Sequence, residues 1–87
     1  MMPKTRIRWW AAYAGSAYGS EITLHRSVQA AYLACCATFG IGMDDRVKEW
    51  RAQHWSDDAI DAQLVARLDG HCSARADDWH VNEVNLS

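Results

Sequence analysis

Three pairs of adjacent aspartates constrain the fold of this chain more than any other feature of its sequence. They are Asp44-Asp45, Asp57-Asp58 and Asp77-Asp78. The first two pairs stand where apolar residues begin to recur at helical spacing, and carboxylates stabilise the positive end of a helix dipole. The third pair precedes Trp79 and an alternating segment that is typical of a strand. The pattern predicts two helices followed by one closing strand.

The beginning of the chain predicts a β-hairpin. Residues 5–13 alternate, with Ile7, Trp9, Ala11 and Tyr13 at every second position. Residues 14–20 contain two glycines and two serines, which favour a turn, and residues 21–25 alternate again. We interpret the adjacent Trp9 and Trp10 as the core and rim of a small sheet, and stacking on a ligand or a base is the alternative.

Residues 27–70 are divided into three helices by residues that begin and end helices. Ser27 is a suitable N-cap for the first helix and Gly40 ends it. The second helix begins at Asp44 and carries an apolar stripe as far as His54. The third helix is capped by Ser56 and ended by Gly70, and residues 71–76 are predicted to be a polar loop.

The closing strand, residues 79–86, contains a change of phase. Trp79 and Val81 share one face, whereas Val84 and Leu86 share the other. We expect either a bulge near Asn82-Glu83 or a strand that is covered on both faces. Pairing with the hairpin then gives an α+β fold over residues 1–87 as a single domain. It consists of a three-stranded antiparallel sheet with three short helices packed on one face.

Composition restricts the class of function. The chain has 87 residues and a net charge of −2, which disfavours binding to nucleic acid through bulk charge. No apolar run approaches the roughly 20 residues of a membrane span, and Arg6 and Arg8 interrupt any signal-peptide core. We expect a monomer in the cytoplasm of a host bacterial cell, with no direct nucleic-acid partner and no membrane partner.

Residues for catalysis or cofactor binding do not form a motif in the sequence. Neither a nucleophile elbow nor a phosphate-binding loop is present, so we predict no enzyme activity and no cofactor. The three cysteines, an odd number, do not indicate a disulfide framework. A zinc site would need Cys72 and His71 with either Cys35 or Cys36, and no Cys-x-x-Cys spacing supports it. We interpret the cysteines as buried free thiols.

A helix-turn-helix regulator that binds DNA is the alternative from a different class. Residues 45–54 and 57–68 predict two short helices joined by His54-Trp55-Ser56, which is the outline of that motif. A recognition helix offers Arg, Lys, Asn or Gln to bases and phosphates. The outer face here instead carries Asp57, Asp58, Asp61, Gln63 and Arg67. Its negative charge would repel DNA.

The order of the predicted elements resembles a small type II-C anti-CRISPR family. The residues that carry the resemblance are Ala31-Tyr32-Leu33 with Cys36, Gly42, Asp44-Asp45-Arg46, Glu49-Trp50, Ser56-Asp57, Trp79 and Val84-Asn85-Leu86. The resemblance covers residues 28–86. It implies a phage-derived inhibitor that evades host defence by binding the HNH nuclease domain of a CRISPR effector and blocking DNA cleavage. An anti-defence protein with a different CRISPR target is the alternative within this class.

The third acidic pair is the leading candidate for contact with a partner. Asp77 and Asp78 have no predicted helix to cap, and the resemblance places the nuclease contact close to them. Carboxylates at this position could mimic phosphate charge toward Lys and Arg along a DNA path, or be repelled by the carboxylates that hold the metal of the nuclease, so we assign the pair a contact role without a defined chemistry. The other predicted contact residues are Trp79, Asp44, Asp45 and Tyr18. For the first two acidic pairs, helix capping remains the alternative interpretation.

Overall fold

A computed structural model describes residues 8–84 of the chain. The elements follow in the order β1 (Trp9–Ser16), β2 (Gly19–His25), α1 (Val28–Thr38), α2 (Asp44–Ala52), α3 (Asp57–Arg75) and β3 (Asp78–Val84). The strands form one antiparallel sheet in the order β2-β1-β3. The predicted α+β fold is therefore confirmed. The parts of the predicted strands at residues 5–7 and 85–86 lie outside the described residues.

The hairpin is tighter than the sequence indicates. Ser16 pairs with Gly19, so that only Ala17 and Tyr18 form the turn. Gly19 has φ +136°, a backbone conformation that residues with a Cβ rarely adopt. The prediction of a turn over residues 14–20 is therefore too long, because most of these residues belong to the paired strands.

The two faces of the sheet differ in what covers them. Trp10, Ala12 and Ala14 of β1 face the helices, where the two alanines are buried. The opposite face is here called the open face. It consists of Trp9, Ala11, Tyr13, Ile22, Leu24, Asp78, His80, Asn82 and Val84. The apolar residues at alternate positions of the predicted first strand, from Trp9 to Tyr13, therefore point away from the helices.

The hydrophobic core lies between the sheet and the helices. Ile60, Leu64 and Leu68 of α3 are completely buried, as is Ala31 of α1. Burying one such leucine stabilises a fold by about 1.5–3 kcal/mol relative to leaving it exposed. The small side chains of Ala12, Ala14 and Ala31 allow α1 to approach the sheet closely. None of the helices in residues 8–84 is long and apolar enough to span a bilayer.

The predicted starts of the helices are confirmed. The Ser27 hydroxyl accepts a hydrogen bond from the Ala30 amide at 3.1 Å, and the Ser56 hydroxyl accepts one from the Ala59 amide at 3.2 Å. Helix α2 begins at Asp44 after Met43, whose side chain makes no capping bond. The carboxylates of its first turn therefore complement the helix dipole by charge.

Gln29 connects the three helices. Its side chain, on α1, is 7% exposed. The amide nitrogen donates to Oδ1 of Asp61 on α3 at 3.0 Å, and the amide oxygen accepts from the Arg51 guanidinium on α2. Val47 and Trp50 add apolar contacts between α2 and the core. A single neutral side chain therefore bridges a cation and an anion on two different helices.

Helix α3 is longer than predicted. It continues through Gly70 to Arg75, so that the predicted helix end at Gly70 and the polar loop over residues 71–76 are both wrong. A glycine within a helix costs about 1 kcal/mol. Burial of Cys72, one turn beyond Leu68 on the same face, favours continuation. The helix ends at Ala76, which adopts a left-handed conformation with φ 56°.

The closing strand is regular over its described length. The register runs without interruption from Gly15 opposite Asp78 to Trp9 opposite Val84, so the expected bulge near Asn82-Glu83 is wrong. The alternative, a strand covered on both faces, is not seen among residues 8–84. Glu83 takes a helix-facing position at the strand's exposed end, where it forms an ion pair with Arg8 at 3.5 Å. Val84 consequently lies on the open face beside Trp9.

Candidate binding site at the hairpin tip

Tyr18 is the most exposed large hydrophobic side chain within residues 8–84. It occupies the second position of the two-residue turn, and its side chain is fully exposed. Its backbone amide donates to the Ser16 hydroxyl at 3.2 Å, which helps to fix the turn. A large aromatic side chain without cover is costly in water, and tyrosine is among the residues that most often anchor protein interfaces.

A groove lies beside Tyr18 on the helix side of the sheet, where the hairpin turn meets the ends of α1 and α3. Its volume is about 410 Å³. We call it the tip groove. Its lining residues are Ser16, Ala17, Tyr18, Thr38, Phe39, His71, Arg75 and Asp77. The structure therefore brings two predicted contact residues, Tyr18 and Asp77, to the same site.

Asp77 has a partner within its own chain. One of its carboxylate oxygens lies 3.4 Å from Nε2 of His71, and the two side chains are 12% and 15% exposed, respectively. Nδ1 of His71 lies 3.3 Å from the Arg75 guanidinium. The His71 ring packs against the Phe39 ring, with 4.9 Å between the ring centroids. Arginine can only donate, so Nδ1 accepts and Nε2 donates to Asp77. Asp77 therefore has a structural contact, with His71, although its side chain caps no helix.

Asp78 points to the other side of the sheet. It begins β3 on the open face, and its side chain is 66% exposed. One carboxylate oxygen accepts from the Trp79 amide at 2.9 Å, and the other lies 3.1 Å from Nε2 of His80. The His80 ring stacks on Tyr13, with 5.5 Å between ring centroids. Both carboxylate oxygens retain exposed lone pairs that a partner can reach.

A second hollow, of about 380 Å³, lies on this side of the hairpin tip. Asp78 lines it together with Tyr13 and Gly15. Tyr13 folds across Gly15 so closely that a Cβ there would collide with the phenol hydroxyl. Glycine at this position is therefore needed for the tyrosine to lie flat against the strand.

The left-handed Ala76 lines the second hollow and stands between Arg75 and Asp77, which line the tip groove. Its backbone reverses the chain after α3, so that Asp77 turns back toward His71 and Asp78 enters the sheet. The left-handed conformation costs a residue with a Cβ about 1–2 kcal/mol. The two adjacent aspartates then extend to opposite sides of β3, because successive side chains of a strand alternate.

The remaining predicted contact residues lie elsewhere. Trp79 faces the helices, where its indole nitrogen donates to Asp69 at 3.0 Å and its ring meets that of Tyr32 edge-on at 5.8 Å. Asp44 and Asp45 are exposed at the start of α2 and line neither of the two hollows. The structure thus gives Trp79 a packing role and the first acidic pair a helix-terminal one.

Sequence reasoning missed Phe39, His71 and Arg75. The sequence predicts a loop for the last two, because Gly70 is a typical helix end. The spacing of Ile60, Leu64, Leu68 and Cys72 continues the buried stripe past Gly70 and would have placed His71 and Arg75 one helical turn apart. That periodicity is the sequence signal from which the position of His71 and Arg75 on α3 can be predicted.

The three cysteines are free and buried. Burial raises the pKa of the Cys72 thiol, and the nearby carboxylates of Asp77, Asp78 and Asp69 raise it further. Burial also raises the pKa values of the other two cysteines, Cys35 and Cys36, to about 11. Thiols with such pKa values are poor nucleophiles. Within residues 8–84, no three His, Cys, Asp or Glu side chains are placed to hold a metal ion.

Comparison with known proteins gives no relative for this chain. No protein-family model matches it, and neither a curated protein nor a solved structure matches it significantly. At the hairpin tip, the exposed ring of Tyr18 lines the tip groove together with Asp77, and Asp78 lines the second hollow.

Proposed function

We propose that this protein is a stoichiometric, non-enzymatic inhibitor that binds a basic protein surface with its hairpin tip. The partner, on the basis of the sequence resemblance, is a CRISPR effector nuclease, with its HNH domain as the docking site. The protein would thus serve phage evasion of host defence. The observation that carries the proposal is the full exposure of Tyr18 at the hairpin turn, together with the exposed Asp78 side chain on the open face at the same end of the sheet.

The chemistry of the tip suits a basic partner. A tyrosine ring buries a large area while losing little conformational entropy, and its hydroxyl group can still form a hydrogen bond. The Asp78 carboxylate can accept charge-assisted hydrogen bonds from Lys or Arg, which are about twice as strong as neutral ones. Asp77 is held by His71 and contributes negative potential more than direct contact.

The His71–Asp77 pair favours binding over catalysis. A general base needs a ring nitrogen within hydrogen-bond reach of a substrate proton. Here Nε2 of His71 faces Asp77 and Nδ1 faces Arg75, so both ring nitrogens are occupied. The pair connects the last turn of α3 to the residue that precedes β3.

The test is inhibition of purified effector nucleases, with the isolated HNH domain in the panel. We expect inhibition to saturate at a fixed molar ratio. Tyr18→Ala and Asp78→Lys should each weaken it by tenfold or more. Truncating an aromatic anchor at an interface costs about 2 kcal/mol or more, and losing a charged contact typically costs about 2–5 kcal/mol. Asp58→Lys, the same charge change at an exposed helix start, is the matched control. Full inhibition by both tip variants would refute the site, and turnover of many targets per inhibitor would refute the mechanism.

The helix-turn-helix alternative has a separate test. Helices α2 and α3 are joined by residues 53–56, as such a motif requires. The start of α3, where a recognition helix would contact bases, instead exposes Asp57 and Asp58. A gel-shift assay at low salt, where nonspecific binding is strongest, should therefore detect no duplex DNA binding at micromolar protein. A tight, salt-sensitive shift would favour the DNA-binding alternative.

A further inference from the structure

The open face is largely apolar on β1 and β2, and no element within residues 8–84 covers it. Ile22 and Leu24 are 67% and 51% exposed, although both are large aliphatic residues. Trp9, Tyr13 and Val84 stand beside them and are only partly buried. Single exposed apolar residues are ordinary, but a contiguous group on one sheet face marks an interaction surface.

Two opposite charges lie at diagonally opposite corners of this face. Arg26 directly follows β2, and its guanidinium lies 5.1 Å from the centroid of the Trp9 ring. Asp78 lies at the far end of β3, level with Gly15. Because β2 and β3 are the two edge strands, the positive corner and the negative corner are separated both along and across the sheet.

We infer that a second copy of this chain docks on the open face in a face-to-face, two-fold symmetric dimer. A two-fold axis in the plane between the sheets can exchange the two charged corners. Arg26 of each copy then meets Asp78 of the other, and this contact occurs twice. The centre of the interface is formed by Tyr13, Ile22 and Leu24, which pack as in a β-sandwich with sheets about 10 Å apart.

The charge distribution favours a second copy over a different partner. A nucleic acid or a strongly charged protein would be matched by a face of one sign, whereas this face carries one basic and one acidic corner residue and is self-complementary. The face consists of only three strands of seven or eight residues, so we expect it to bury less than the about 800 Å² per partner that is typical of specific interfaces. We therefore expect a weak dimer, in contrast to the monomer expected from the sequence.

Sedimentation equilibrium over a range of protein concentrations tests this inference. The wild-type chain should shift from its own mass of 9.8 kDa toward twice that mass as its concentration increases. Leu24→Lys, at an exposed position of the apolar centre, should keep the chain monomeric. Ala66→Lys, which adds the same charge at an exposed position of α3, should leave the dimer intact. Circular dichroism confirms that each variant is folded.

Charge exchange at the corners gives a sharper test. Arg26→Asp and Asp78→Arg should each weaken self-association by about tenfold, because both corner contacts become repulsive. An equimolar mixture of the two variants should associate as tightly as the wild type, since each corner then meets an opposite charge again. A wild type that stays monomeric at the highest concentration, or a mixture no tighter than its components, would overturn the dimer. Neither self-association experiment contains a nuclease, so its outcome does not depend on whether the proposed inhibitor function is correct.

Discussion

Gln29 provides a direct test of how the three helices are held together. Its amide nitrogen donates to Asp61 and its amide oxygen accepts from Arg51, within an almost fully buried position. Only a neutral group that both donates and accepts can satisfy a carboxylate and a guanidinium at the same time. The substitution Gln29→Glu keeps the size and the contact with Arg51, but it replaces the donor with a second carboxylate oxygen beside Asp61.

The expected cost follows from these two contacts. A hydrogen bond to a charged group contributes about 1.5–3 kcal/mol, and the new carboxylate also repels Asp61. The retained ion pair with Arg51 offsets part of this loss. We expect Gln29→Glu to lower the free energy of unfolding by about 2 kcal/mol at pH 7. For a domain of this size, each 1 kcal/mol lowers Tm by about 4–8 °C.

Urea unfolding followed by circular dichroism measures the effect. The second substitution Asp61→Asn restores a donor opposite the new carboxylate and should recover most of the lost stability. Gln63→Glu is the matched control, because it makes the same chemical change at an exposed position of α3; its effect should stay within about 0.5 kcal/mol. If Gln29→Glu unfolds at the same urea concentration as the wild type, or if Asp61→Asn adds a further loss, the bridge does not hold the helices together.

Three further predictions concern the core and the end of α3. Ala76→Gly should raise the free energy of unfolding by about 0.5–1 kcal/mol in urea, since it relieves a left-handed alanine; a loss would show that the strain estimate is wrong. Leu64→Ala should cost about 2–5 kcal/mol by the same assay, and a cost below 1 kcal/mol would contradict its complete burial. Cys35 and Cys36, with pKa values raised to about 11, should resist iodoacetamide at pH 8 until the chain unfolds. The raised pKa values stabilise the fold fully below about pH 9, and this contribution is lost as the pH rises through about 11. Tm should therefore fall less between about pH 9 and pH 11 in a variant with alanine at both positions than in the wild type.

The sequence was sufficient for features that depend on short-range chemistry. The capping serines Ser27 and Ser56 begin their helices because each hydroxyl reaches an amide only three residues away. The α+β fold follows from those helices and from alternation in the flanking segments. Such signals are contained within a few residues, so tertiary structure changes them little.

The features that were missed depend on tertiary packing. Gly70 stays helical because the burial of Cys72 outweighs a local preference of about 1 kcal/mol. Alternation alone does not reveal which face of the hairpin meets the helices, and the small residues Ala12 and Ala14 were the ones that α1 covers. The contact between Asp77 and His71 also depends on packing, because the sequence predicts a loop at His71 and the structure has a helix there.

The position of β1 in the sheet has a consequence for how the chain folds. β1 is the central strand and the first element, yet one of its partners, β3, is the last element. Pairing Trp9 with Val84 closes a loop that contains every helix, which makes sheet completion slow relative to hairpin and helix formation. Until then, β1 presents a row of unpaired amides and carbonyls to other chains. Aggregation during synthesis should therefore depend on how quickly β3 reaches that edge.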